Sequence, residues 1–237
     1  SEIVKKFPIP LPDNHEQKAI AEALSDIDEL IQSTSLEHSK YQNIFDGLLE
    51  KYFGYLNKKN TDEGLVEDLF IVKKGQARNY GEMGGANSFK FINGGIEHSG
   101  FTDSYNCKAG SILISEGGNS CGFVNFYREP VWSGGHSYYL EVREKSFTTE
   151  YLYFLLKYNQ AKIMNLRVGS GLPNVQLKDL NKFNLKYSSN LDVQKQVSKE
   201  IENVANLCTE ILNLKLKYEW LKQGMMNDLL TGKVRLV

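Results

Sequence analysis

The chain has 237 residues, 41% of them hydrophobic and 24% charged, the balance of a globular domain rather than of a disordered or fibrous chain. Twenty-eight Lys and Arg against 29 Asp and Glu leave a formal charge of -1, which excludes the global basic signature of many nucleic-acid binders. No window approaches the ~18 apolar residues of a membrane span and no export signal opens the sequence, so a cytoplasmic chain without membrane contact is expected.

In chain order, Ile3 to Leu11 matches Asp179 to Tyr187, so residues 1–12 read as the remnant of an upstream strand and linker. A long apolar-periodic stretch follows, and it occurs twice. With an offset of 177, Gln17 falls on Gln194, Lys18 on Lys195, Ile20 on Val197, Leu24 on Ile201, Ile27 on Val204 and Tyr41 on Tyr218. Asp13-x-x-Glu16 and Ser189-x-x-Asp192 have the form of helix N-caps, and Pro8, Pro10 and Pro12 keep the chain extended before the first of them. In the first copy, residues 13–57, the seam runs Ile20, Leu24, Ile27, Ile31, Tyr41, Phe45, Leu48, Tyr52, Tyr55, interrupted by Thr34 and His38. The second copy, residues 188–237 with a C-terminal tail, runs Val197, Ile201, Val204, Cys208 and then shifts phase to Ile211, Leu214, Tyr218, Leu221, Met225. A helix of roughly 40 residues is about 60 Å long and cannot leave one apolar stripe in water. Each copy is therefore expected to pack on the other as an antiparallel coiled coil, burying Ile27, Ile31, Val204 and Cys208.

Between the copies, a polar linker (residues 57–64) leads into a segment of short runs separated by glycine, residues 62–187. Val66 to Phe70 predicts a short helix. Phe89 to Ile92, Ser111 to Ser115, Gly122 to Tyr127, Pro130 to Trp132 and Ser137 to Val142 predict strands, and Thr148 to Arg167 has helical spacing. The expected fold class is α+β: a barrel-like, β-rich domain with appended helices, plus the two long helices.

Three glycine-rich turns carry polar side chains: Ile114-Ser115-Glu116-Gly117-Gly118-Asn119-Ser120, Trp132-Ser133-Gly134-Gly135-His136 and Val168-Gly169-Ser170-Gly171-Leu172-Pro173-Asn174. Glycine permits close backbone approach to a ligand, and Ser, Asn and His supply donors and acceptors. Lys73-Lys74-Gly75-Gln76-Ala77-Arg78-Asn79-Tyr80 adds phosphate-pairing cations and base-pairing amides. As a single feature, a glycine turn is more often only a turn and a charge run only a solvated loop. Charge by segment is 7 basic against 10 acidic residues in 1–61, 14 against 13 in 62–187 and 7 against 6 in 188–237, so any DNA contact must come from a local cluster or be shared with a basic partner. Catalysis finds little support. Cys121 or Ser137 with His136 lacks an orienting acid, the four histidines and three cysteines have no metal-ligand spacing, and no turn has phosphate-loop or dinucleotide form. No cofactor is expected.

The run Gly-Ser-Gly-Leu-Pro-Asn-Val-Gln-Leu-Lys-Asp-Leu (169–180), followed by Phe183, Gln194-Lys195 and a long helix ending Asp228-Leu-Leu-Thr-Gly-Lys-Val, resembles the specificity subunits of type I restriction-modification systems. So do Ile92-Asn-Gly-Gly-Ile and Ile114-Ser-Glu-Gly-Gly-Asn-Ser-Cys-Gly-Phe-Val. The resemblance covers essentially the whole chain; single pieces are weak and their order with the repeat is specific. It implies a non-catalytic protein that reads double-stranded DNA and docks methyltransferase (modification) subunits and, through the complex, motor-nuclease (restriction) subunits. Family members carry two target recognition domains and this chain carries one, which implies recognition of one half-site and a possible homodimer. The expected dimer contact is an apolar tip of Met225, Met226, Leu229 and Leu230 near His15 to Glu22. The DNA-contacting residues expected from the turns, the basic cluster and the resemblance are Lys73, Lys74, Gln76, Arg78, Asn79, Tyr80, Asn93, Ser115, Gly117, Gly118, Asn119, His136, Ser170 and Asn174. The alternative is a coiled-coil adaptor whose globular head binds protein.

Overall fold

The structure is a computed structural model that describes residues 11–56, 61–78 and 89–236. The strand expected within residues 1–12 falls largely outside these residues, as do Asn79, Tyr80 and much of the linker. The chain divides into two compact units, Ser1–Phe45 with Glu202–Val237, and Asp46–Ile201.

The first unit is helical, formed from α1 (Asn14–Leu49) and α6 (Leu191–Leu230), each of which continues into the other unit. Asp13 caps α1, its Oδ1 accepting from the backbone N–H of His15 and Glu16, each at 2.9 Å. Ile20, Ile27, Thr34 and Phe45 are buried along α1, and Cys208, Ile211 and Leu229 along α6. Ile31 and Val204, expected to be covered, are half-buried. Thr34 does not interrupt the stripe: its hydroxyl bonds back to the Leu30 carbonyl, so a polar side chain is buried with its donor satisfied. The phase expected after Ile211 is not the one observed. Leu214 and Leu221 are 40% and 53% exposed, whereas Leu229, expected at an exposed tip, is buried. The tail folds back after the helix. Gly232, at φ 71°, turns the chain at the helix end, and Arg235 then pairs with the buried carboxylate of Glu16, a charge that burial without a partner would make costly. Lys222 pairs with Asp28 within the same unit.

Asp46–Ile201 holds the sheets. The end of α1 passes into a π-helical turn, Glu50–Gly54, whose wider winding shifts the phase of the stripe. Leu49 and Phe53 are therefore the buried residues, and Tyr55, expected on the seam, is 51% exposed. The strands β1 (Asp62–Leu65), β2 (Phe70–Lys74), β3 (Phe89–Ile92), β4 (Gly100–Thr102), β5 (Ser111–Ser115), β6 (Val124–Tyr127), β7 (Val131–Ser133), β8 (Ser137–Val142) and β9 (Asn184–Tyr187) alternate with the short helices α2 (Val66–Leu69), α3 (Thr149–Tyr158), α4 (Gln160–Met164) and α5 (Leu177–Asn181). They form three sheets rather than a closed barrel: β2-β8-β5-β6, β4-β3-β7 and β1-β9. Closure fails because β2 and β6 end the four-stranded sheet while β3 and β7, a parallel pair, belong to another. The two larger sheets bury a shared core instead, in which Leu113 of β5 packs with Ile92, Cys107 and Val131. The two-residue period of a strand puts Ile112 and Ile114 on the opposite face of β5, and both are fully buried. Helix α3 packs against β5 and β6 and buries Leu152, Leu155 and Leu156. Each such side chain contributes about 1.5–3 kcal/mol relative to exposure.

The start of α6 corrects another expectation. Its cap is Asn190, whose Oδ1 accepts from the N–H groups of Asp192 and Val193 at 2.9 and 3.1 Å. Ser189 instead donates its backbone N–H to Asp62. At the offset of the repeat, Asn190 is the counterpart of Asp13. Among the described residues, no helix is long and apolar enough to cross a membrane.

Candidate nucleic-acid interface

Five separate stretches of the second unit meet at one place, and backbone hydrogen bonds hold them together. The Glu116 N–H donates to the His136 carbonyl (2.9 Å), Gly118 N–H to Pro173 (3.0 Å) and Val175 N–H to Glu116 (2.8 Å). Gly134 N–H donates to Ile92 (2.7 Å) and Gly75 N–H to Ser137 (2.8 Å). The loop 168–174 is closed on itself by paired bonds between Val168 and Asn174. Glycine is required where these stretches cross: Gly94 has φ 79°, and a Cβ there would lie 2.7 Å from the His136 carbonyl oxygen.

The result is a cleft of about 500 Å³ lined by Lys74, Asn93, Gly94, Gly95, Glu116, Gly117, Gly118, Ser120, His136, Leu172, Pro173 and Asn174. A second, of about 340 Å³, shares Lys74, Asn93 and His136 and adds Arg78. Of the residues expected from the sequence, Lys74, Asn93, Gly117, Gly118, His136 and Asn174 thus come together, with Arg78 beside them. Ser115 is buried, its hydroxyl accepting from the Gly95 N–H (3.1 Å) and directed at the Gly117 carbonyl (3.3 Å), so it shapes the turn from beneath. Lys73, Gln76, Asn119 and Ser170 are exposed and line neither cleft. Sequence reasoning missed Glu116, Leu172 and Pro173 as lining residues. Their membership of two of the glycine-rich turns was the available signal.

The basic cluster is not a loop of free cations. Lys73 and Lys74 end β2. Lys73 pairs with Glu141 across the β2–β8 ladder at 2.8 Å, a bond that raises the pKa of its ammonium. Lys74 pairs with Glu116 at 2.7 Å. Arg78 donates to Asp103 Oδ1 (2.8 Å) and Ser104 Oγ (2.6 Å), and its guanidinium lies 3.9 Å over the Trp132 ring. The Arg78 bond, followed by that of Ser104, holds the Asp103 carboxyl below its ordinary range. Trp132 is fixed in turn by its indole N–H, which donates to the Gln76 carbonyl at 2.8 Å. The Tyr138 hydroxyl is directed at Glu116 Oε1 (3.0 Å) and the Val175 carbonyl (3.1 Å). Burial, and then that carboxylate, push its pKa up, so it stays a donor.

The nucleophiles considered from the sequence are engaged or covered. Ser137 is buried with its hydroxyl among Ser133 Oγ, the Ile92 carbonyl and the Gly134 carbonyl. Cys121 is buried, and burial pushes the Cys107 thiol up to about 12. His136 lies in the turn before β8, not on the strand. Among the described residues, no group of three or more His, Cys, Asp or Glu is placed to hold a metal ion.

Five stretches of this α+β unit thus converge on one cleft lined by four glycines. The family model for the type I restriction modification DNA specificity domain matches residues 58–219, and the chain belongs to that family. It is 26% identical over 172 residues to a protein of Mycoplasma genitalium named as a type I specificity subunit, an alignment covering 69% of this chain and 44% of that one. It is 24% identical over 272 residues to the specificity subunit of a type I restriction enzyme from Methanocaldococcus jannaschii, covering 99% of this chain and 64% of the relative. The crystal structure of the type I restriction-modification S subunit from M. genitalium shares the fold, with a TM-score of 0.79 at 20% identity over 92% of this chain and 61% of that one. The chain spans about half to two thirds of the length of these proteins.

Proposed function

We propose that this chain reads sequence in double-stranded DNA for a type I restriction-modification complex, one half-site per recognition domain, and performs no chemistry itself. The observation that supports the reading is the convergence of Asn93, His136 and Asn174 with the cation Lys74 on one cleft, and of Arg78 on a second that shares Lys74, Asn93 and His136 with it. Amide and imidazole groups can read base edges, and flanking cations can hold phosphates. In this reading Gln76, Asn79, Asn93, Asn119, His136, Ser170 and Asn174 face bases. Lys73, Lys74, Arg78 and Tyr80 face the backbone, while Ser115, Gly117 and Gly118 shape the surface between them. Each described cation in the cluster is already paired with a carboxylate, and a basic methyltransferase subunit would complete the enclosure of the duplex.

The domain scheme belongs to the same proposal: residues 1–12 as a strand remnant, 13–57 and 188–237 as the two repeated helices, and 62–187 as the target recognition domain. The helices form an antiparallel coiled coil. Support comes from the pair Asp28–Lys222 between the helices, and from Glu16–Arg235, which brings the tail just past the end of α6 to the start of α1. Methyltransferase subunits, and motor-nuclease subunits through them, are the proposed partners, in the cytoplasm. A second copy of the chain would restore the two-domain symmetry. Because Leu229 is buried, such a dimer would rest less on an apolar tip than the sequence suggests.

The test is a mobility-shift titration of duplex DNA with the chain and its methyltransferase partner across a salt series. Binding that weakens steeply and log-linearly with salt is expected. Binding of the methyltransferase with no contribution of this chain to duplex affinity would overturn the proposal.

A further inference from the structure

Glu116 was not expected in the site, and its chemistry is the least suited to a surface that meets a polyanion. Its backbone is clamped on both sides, N–H to His136 and carbonyl from Val175. Its side chain is only 15% exposed and lines the cleft beside Asn93, His136 and Asn174. Lys74 Nζ and the Tyr138 hydroxyl both address Oε1, at 2.7 and 3.0 Å. Both of these bonds fall on Oε1, so Oε2 accepts none from the described residues. A carboxylate aimed and held in this way repels phosphate oxygens at any ordinary distance. It also repels the acceptor edges of guanine (O6, N7) and thymine (O4) in the major groove. What it can accept from is an exocyclic amino group. Adenine sets N7, another acceptor, beside its N6 amino group, whereas cytosine offers N4 with no acceptor on its own groove edge.

We propose that Glu116, oriented by Lys74 and Tyr138, is a specificity-determining residue that accepts a hydrogen bond from a cytosine N4 amino group, so that the half-site contains an obligatory C·G pair. The inference rests on the DNA-reading function proposed above and adds the base and the residue to it. Lys74 in this arrangement partly neutralises Glu116 against neighbouring phosphates, and Tyr138 sets the direction of the carboxylate.

The experiment is selection from a pool of duplexes with a randomised core, by the full chain with its methyltransferase partner, for the wild type and for Glu116→Gln. The wild type is expected to enrich a motif with one invariant C·G pair. The Glu116→Gln variant should lose the preference for cytosine at that one position by at least about fivefold and gain adenine there, because an amide can donate to N7 and accept from N6 together. The remaining positions should not change. A wild-type motif lacking any invariant C·G pair overturns the inference without recourse to a variant, as does an unaltered motif in Glu116→Gln. If that variant fails to fold, Glu116→Asp, which keeps the charge and shortens the side chain by one methylene, is put through the same selection: loss of the cytosine preference at that position by at least about fivefold supports the inference and an unaltered motif overturns it. Enrichment of no sequence by the wild type is the distinguishable failure of the DNA-reading function itself.

Discussion

Gln17 and Gln194 hold the same place in the two copies of the helical repeat, yet their surroundings differ. Gln17 is exposed and spends its amide on the Pro12 carbonyl at 2.8 Å. Gln194 is fully buried: its Nε2 donates to Ser188 and Ser146, and its Oε1 accepts from the Thr148 N–H at 3.0 Å. Leu24 and Ile201, another matched pair, repeat the contrast, half-buried against fully buried. A repeated sequence thus specifies the same helix twice, while the chain packed around each helix start decides whether its side chains hold structure. In the second copy Gln194 and Ile201 are built into the unit that holds the sheets, whereas in the first Gln17 stays exposed and Leu24 half-buried.

The largest break in that equivalence is expected from Ile201→Ala, which should cost about 2–5 kcal/mol, against roughly 1–2 kcal/mol for Leu24→Ala. Chemical denaturation of both variants measures it, and equal costs would erase the contrast. Gln194→Ala comes next. It leaves part-buried backbone groups of Ser188 and Thr148 short of a partner, for about 1–3 kcal/mol, whereas Gln17→Ala should stay within about 0.5 kcal/mol. Thermal melts of the two side by side sharpen the comparison. Cleft variants should invert the pattern, changing DNA binding more than stability. Asn174→Ala is expected to shift the preferred base at one position, worth about 1–3 kcal/mol if its contact is bidentate. Arg78→Ala should weaken binding across all sequences and lower the salt slope by about one, read from titrations at several salt concentrations.

What was legible in the sequence follows from where each element gets its stability. Phe89–Ile92, Ser111–Ser115 and Ser137–Val142 were readable at their observed bounds because aromatic and branched residues mark them locally. Asp62–Leu65 was not. Three of its four residues, Asp62, Glu63 and Gly64, are polar or glycine, and it is a strand because Asn184–Tyr187 pairs with it across more than a hundred residues. The phase error at Tyr55 came from the π-helical turn, since a seam extrapolated at constant period cannot see an inserted winding. In the cleft, glycine turns announced themselves. Glu116 did not, because its place depends on Lys74, His136 and Val175 arriving from three other stretches.

The central claim is that duplex DNA lies in the cleft of residues 46–201, and hydrogen exchange of the full chain, with its methyltransferase partner, with and without a selected duplex, tests it most directly. Protection is predicted in residues 93–95, 116–118, 134–136 and 168–174, with none added along β1 and β9. Protection confined to α1 and α6, with those four loops exchanging as they do without DNA, would contradict it.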